Sequence, residues 1–216
     1  MDLTAYFPSG VSLVVADSAM WTLPLRDEEE ALVATVLEKR RREFRAGRHA
    51  AHTALARLGA PDAPLLRGEK REPLWPVGYV GSIAHCRDLC LAACAAEGEI
   101  AGLGVDVEPL QRLPAGVDRY IHTEADTELV QRHSGRLPER LVFCAKESLY
   151  KCYYPLVKRY FGFQSVSLTL DAEAGRFGFR PTRDCAIEFP PALDFHGRFL
   201  WDDTHLYAFC YLLRRH

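Results

Sequence analysis

The segment "RLPERLVFCAKESLYKCYYPLVKRYFG", residues 136–162, constrains the fold more than any other. Pro138 suits a helix start, Pro155 interrupts the run and Gly162 ends it, which predicts a helix over 138–154. Phe143, Leu149, Tyr150, Tyr153 and Tyr154 make that helix broadly apolar. Such a helix is stable only where other elements cover it. Yet Lys146, Glu147 and Lys151 lie inside it, and buried charge requires partners or a polar cleft.

The covering elements are short strands. "VSLVVAD", Val11 to Asp17, reads as the first. A second helical region runs from Asp27, an N-cap candidate followed by three glutamates, to a stop at Gly59 and Pro61; it could form in two pieces. The loop "APLLRGEKREPLWPVG" follows, then "YVGSIAHC", "LCLAACA" and "AGLGVDVE", which read as one antiparallel unit. "FQSVSLTLDAEAGRFGFR" and "RFLWDDTHLYAFCYLL" each carry a hairpin signature. The order, strand–helix–strands and then helix–strands, predicts an α+β protein of two related halves meeting near residues 104–110. Division at 104 gives an N-terminal half, 1–104, and a C-terminal half, 105–216, in one compact unit.

Composition excludes several classes. With 48% hydrophobic and 26% charged residues in 216, the chain suits a globular core, and its net charge of −2 gives no global field for nucleic acid. No apolar run approaches a membrane span, and "MDLTAYFPSG" lacks the features of a signal peptide, so a cytoplasmic protein is expected. The seven cysteines read as free, buried thiols; "CRDLCLAAC" has no CxxC pair to suggest zinc.

Four motifs carry chemistry. In "GLGVDVEPL", strand alternation puts Leu103, Val105 and Val107 on one face, and Gly104, Asp106 and Glu108 on the other. Two carboxylates on one strand face suit a hard divalent cation; a solvated polar edge is the bland alternative. Glu147 and Lys151, at i and i+4, share a helix face, as a surface ion pair also would. In "GSIAHC", Ser82 and His85 beside Gly81 offer groups that bind phosphate, while the absence of G-x-S-x-G argues against a nucleophilic serine. Arg40, Arg41, Arg42, Arg45 and Arg48, with Lys70 and Arg71, form local basic clusters; most would be solvated, and a few aimed inward would hold phosphates.

Taken in order, "FRAGRHAA", "REPLWPVGYVGSIAHC", "GLGVDVEP" and "FCAKESLYKCYYP" resemble the phosphopantetheinyl transferases of the surfactin type, in their enterobactin-type branch. The resemblance covers Phe44 to Pro155. It implies a pseudo-dimer of two α+β halves with the active site between them. It also implies transfer of 4′-phosphopantetheine from coenzyme A to a serine of an apo acyl or peptidyl carrier protein, releasing adenosine 3′,5′-bisphosphate. On this basis Asp106, Glu108 and Glu147 would hold Mg²⁺, Glu147 would help deprotonate the serine, and Lys151 would face the α-phosphate. Ser82 and His85 would contact the nucleotide phosphates and Arg48 the nucleotide end, while Lys70 and Arg71 compete for one basic position. Glu124 matches a recurrent acidic position without a fixed role, and Cys144 stands where relatives have a small residue. A monomer is the expected state. The competing readings are another Mg²⁺-dependent enzyme acting on a phosphorylated nucleotide and a non-catalytic coenzyme A-binding module. The sequence leaves the carrier protein and its pathway open.

Overall fold

The computed structural model describes residues 2–215. Two antiparallel sheets organise it. The first has the order β1 (Val11–Val15), β3 (Leu89–Ala96), β2 (Tyr79–Cys86). The second has the order β4 (Ile100–Pro109), β8 (His205–Arg214), β7 (Leu193–Trp201), β6 (Arg176–Pro181), β5 (Val166–Asp171). Between them in sequence lie α1 (Asp27–Ala31), α2 (Glu38–Arg57), α3 (Asp118–Ile121), α4 (Glu124–Arg132) and α5 (Leu141–Val157).

Alternation along the strands generates the layers. Leu13, Leu91, Ala93, Leu103, Val105, Val107 and Phe209 belong to one core shared by the inner faces of both sheets. Val14, Ala92 and Cys94, from the opposite face of the first sheet, pack with Ala50, Ala51 and Ala54 of α2. Ala208, Cys210 and Leu212, from the outer face of the second, pack with Cys144, Leu149 and Cys152 of α5. Each helix therefore covers one outer face. α5 lies close on β4 because Gly104 has no side chain: a Cβ there would overlap the Ser148 carbonyl and press on Cys152.

Several local expectations need correction. β4 does not join β2 and β3 in one sheet; it pairs with β8, from Ile100↔Leu213 to Pro109↔His205. Residue 104, where the expected halves meet, lies within β4. β2 and β4 are nevertheless neighbours as edge strands, joined where the Val105 N–H donates to Ser82 Oγ at 3.0 Å. α5 runs through Pro155 to Val157 and ends at Lys158, whose φ of 48° is left-handed, rather than at Gly162. Pro155 removes only the N–H that would reach the Lys151 carbonyl, a loss one turn from the end that the flanking turns absorb, as the Lys158 N–H to Tyr154 carbonyl bond at 2.9 Å shows. The first strand stops at Val15, since the Asp17 carboxylate instead accepts from the Ala19 and Met20 amides. The first helical region is broken between α1 and α2, and Arg26, not Asp27, occupies its N-cap. Both expected hairpins are present, as β5–β6 and β7–β8.

Candidate active site

A cavity of about 390 Å³ opens above β2, walled on one side by α2 and on the other by α5; Asp106 and Glu108 of β4 do not line it. Arg40 and Arg48 come from α2, Ser82 and His85 from β2, and Glu147 and Lys151 from α5. Lys70 and Arg71 reach the same cavity from a turn closed by the Arg67–Pro73 bridge, in which Arg71 takes a φ of 68°. Residues far apart in sequence, read separately as phosphate-binding and acid–base groups, are therefore brought together.

The α5 side supplies paired charge. Asp106 is only 6% exposed, which removes the solvated-edge reading of this strand face. Its Oδ1 lies 2.7 Å from Lys151 Nζ, which also donates to the Val105 carbonyl at 3.2 Å. Asp106 Oδ2 is buried without a partner. Burial pushes the Asp106 carboxyl above its usual range, against the pull of Lys151. For Lys151 burial acts in the opposite sense, but Asp106 outweighs it and keeps the ammonium firmly protonated. Glu147 is likewise raised by burial, with Asp106 and Glu108 adding to the rise and Lys151 opposing it. Glu108 is raised by burial and by Asp106, and its Oε2 is held by Arg140 at 2.5 Å.

Asp106 raises Glu108, both raise Glu147, and Asp106 keeps an unpartnered buried oxygen; the three carboxylates form a donor set that fits a hard cation. Among the described residues, however, no three acid, histidine or cysteine side chains converge at ligand spacing. Lys151 and Arg140 instead stand against two of the carboxylates.

The remaining lysine of the apolar helix has a different explanation. Lys146 is 2% exposed and points away from the cavity, donating to Asp126 Oδ2 at 2.5 Å and to the Ile121 and Phe163 carbonyls. Asp126 also closes a capping box with Thr123 and accepts from the Leu168 amide at 2.7 Å. Lys146 thus ties α5 to α4 and β5. Its structural acid is Asp126, while Glu124, two residues earlier, is exposed.

The α2 side supplies cations that also have acidic neighbours, Glu43 at 3.2 Å from Arg40 and Glu29 at 4.0 Å from Arg48. Arg48 is 4% exposed and its guanidinium stacks on Phe44, 4.6 Å from the ring centroid; burial lowers it to about 10, still charged at neutral pH. Arg67 stacks on the same ring at 4.7 Å. His85 Nε2 lies 2.5 Å from Arg40, and burial together with that guanidinium pushes its imidazole down to about 4. As it stands, His85 is neutral and accepts from Arg40. Ser82 is buried, and its oxygen accepts the Val105 bond described above, which leaves its own proton to donate.

Sequence reasoning missed Arg67 and Phe44. The i, i+4 spacing of Phe44 and Arg48 was a usable signal for the stack. Arg67 had none, because its position depends on the turn that folds the 67–73 segment back over α2. All seven cysteines are free thiols, and only Cys185 is not buried.

A basic pocket beside a buried acid–lysine pair suits an anionic ligand, and comparison with known proteins specifies the class. Residues 28–95 match the 4′-phosphopantetheinyl transferase N-terminal domain, and residues 102–204 match the 4′-phosphopantetheinyl transferase superfamily. The 4′-phosphopantetheinyl transferase PptT of Mycobacterium tuberculosis is 38% identical over 181 residues, 79% of this chain and 78% of the relative. The 4′-phosphopantetheinyl transferase Svp of Streptomyces mobaraensis is 41% identical over 157 residues, 71% of this chain and 64% of the relative. Enterobactin synthase component D of Salmonella typhi is 36% identical over 135 residues, 61% and 55% of the two chains. The chain belongs to the 4′-phosphopantetheinyl transferase superfamily. It is a transferase that takes the phosphopantetheine group of coenzyme A and places it on a carrier protein.

Proposed function

We propose that the cavity binds coenzyme A and that transfer occurs where α5 meets β4, at the junction of two halves related as a pseudo-dimer. The observation that carries this reading is the 2.7 Å contact of Lys151 with Asp106 beneath a wall that also presents Glu147. The N-terminal half, 1–104, then supplies the donor contacts, and 105–216 supplies the chemistry. Arg48, His85, Ser82 and the Lys70–Arg71 turn hold the nucleotide phosphates through charge-assisted hydrogen bonds. A dianion beside His85 would favour its protonated form and draw Arg40 into the same contact.

Asp106, Glu108 and Glu147 are the residues that would hold Mg²⁺, with Lys151 and Arg140 moving off the first two. The ion would supply charge neutralisation at the pyrophosphate. Glu147, its carboxyl raised by burial, accepts the proton of the carrier serine, directly or through a water. The serine oxygen bonds to the phosphorus that carries pantetheine, and the bond from that phosphorus to the bridging oxygen breaks. Lys151 meets the charge left on the departing adenosine 3′,5′-bisphosphate.

The acceptor is an apo acyl or peptidyl carrier protein, with carriers of siderophore or other secondary pathways suggested by the enterobactin synthase relative. Among the described residues, no helix is long and apolar enough to cross a membrane. A cytoplasmic monomer completes the proposal. The test is the intact mass of an apo carrier protein incubated with coenzyme A, with Mg²⁺ or with chelator. Modification is expected only with Mg²⁺ and wild-type Asp106. Full modification by Asp106→Ala at the same Mg²⁺ would overturn the metal assignment.

A further inference from the structure

Behind Arg48, outside the cavity wall, lies a carboxylate that the proposed chemistry does not use. Glu29 is 0% exposed, on the short helix α1. Its Oε1 faces His52 Nε2 at 2.8 Å, accepts from the Leu65 N–H at 3.0 Å, and lies 4.0 Å from Arg48 Nε. Arg48 and His52 are i and i+4 on α2, so one helix face presents both to the same oxygen. Glu29 Oε2 and Arg48 Nε are both buried without a hydrogen-bond partner. Burial opposes charge on Glu29, but the bonds from His52 and Leu65 outweigh it and hold the carboxyl below its usual range.

If Glu29 served only to fasten α1 to α2 and to the 60–65 loop, a neutral amide would satisfy the Leu65 N–H at lower desolvation cost. The charge on Glu29 is held mainly by His52 and the Leu65 amide, and the Arg48 cation 4.0 Å away gains from it in turn. Arg48 is otherwise held by the Phe44 ring on one face and by the Leu66 carbonyl at 3.4 Å, contacts that leave the rotation of the guanidinium about its stem poorly fixed. We infer that Glu29 is a positioning residue for Arg48: by holding the Nε side of the guanidinium from behind, it directs the free N–H edge at the donor's phosphate. The inference rests on the reading of Arg48 as a phosphate contact, and it adds an anchor three segments deep, with His52 and the Leu65 amide orienting Glu29 in turn.

The experiment is a double-mutant cycle on coenzyme A affinity, measured by calorimetry with the full chain, alongside kcat at saturating coenzyme A and the melting temperature. Glu29→Gln keeps an acceptor for Leu65 and removes the charge. It should weaken coenzyme A about tenfold, the scale of one charge-assisted bond, with a much smaller change in kcat. In an Arg48→Met background, the same change should cost no further affinity, because the group it positions is gone. An equal loss of affinity in both backgrounds, or no loss in either, would make Glu29 a structural staple and overturn the inference. Normal coenzyme A binding by Arg48→Met alone would instead remove Arg48 from the donor site, and the inference with it. Should Glu29→Gln fail to fold, Glu29→Asp keeps the charge but withdraws it by one methylene, and the cycle is read in the same way.

Discussion

Helices α2 and α5 wall the same cavity and each covers one sheet, yet they carry charge in opposite ways. α2 packs through small residues, Ala46, Ala50, Ala51 and Ala54, and turns its long cations to solvent and to the cavity. The cavity cations crowd one another: Arg40 of α2 and Arg67 of the neighbouring turn both add to the lowering of Arg48 that burial begins. α5 is buried on most sides, and both its lysines have protein carboxylates, Asp126 for Lys146 and Asp106 for Lys151. The difference teaches where substitution should be felt. Arg40 and Arg48 of α2 also have carboxylates, Glu43 and Glu29, but both line the cavity, so on the proposed reading their loss should appear in ligand affinity. Charges on α5 are compensated inside the protein, so their loss should appear in chemistry or in stability, according to which side of the helix they face.

The strongest way to break this contrast is Lys151. If it meets charge on the departing phosphate, Lys151→Ala should lower single-turnover transfer at saturating coenzyme A about 100-fold, with partial recovery in Lys151→Arg. An unchanged rate would make both lysines of α5 structural. Next comes Lys146. Lys146→Met leaves Asp126 buried beside an apolar side chain and should cost about 3–5 kcal/mol of unfolding free energy in denaturant titration, while the transfer rate of the folded protein stays close to wild type. A large loss of rate at intact stability would place Lys146 in the site and dissolve the distinction between the two faces.

The smallest effect sharpens the comparison at the level of the sheets. In the β7–β8 turn, Asp202 accepts from the Thr204 and His205 amides at 2.8 Å and from the Thr204 and Tyr207 hydroxyls at 2.9 Å. Burial works against its charge, but these bonds hold the carboxyl at about 2, down from 3.8. A depressed carboxylate stabilises the fold above its unfolded pKa, and that contribution is lost as pH falls through the folded value. Asp202→Asn should therefore melt below wild type at pH 7, and the gap should narrow from about pH 4 to pH 2. A gap independent of pH would assign the effect to hydrogen-bond geometry rather than charge.

How far the sequence could be read follows the range of the interactions involved. The β5–β6 and β7–β8 hairpins were legible because their strands pair across short turns, and their alternation is local. Glu147 and Lys151 were legible as one face because i, i+4 spacing fixes it. The membership of β4 was not, because Asp106 pairs with Ala208, a partner near the other end of the chain. Nor was the division of labour between the lysines. Positions 146 and 151 are turned about 140° apart on a helix, so they face different elements, but only packing decides which element lies on which side.

By itself the sequence determined the chemical inventory: an apolar helix with an acid and bases, a strand with two carboxylates on one face, and a basic segment ending in a Gly-flanked strand. It determined the family as well, because those motifs occur in a fixed order along the chain. The tertiary structure decided which charges compensate each other and which remain for a ligand. Charge strength depends on burial and on neighbours within a few ångströms, and such neighbours are set by the approach of α5 to β4 over Gly104 and by the edge-to-edge seam of β2 and β4.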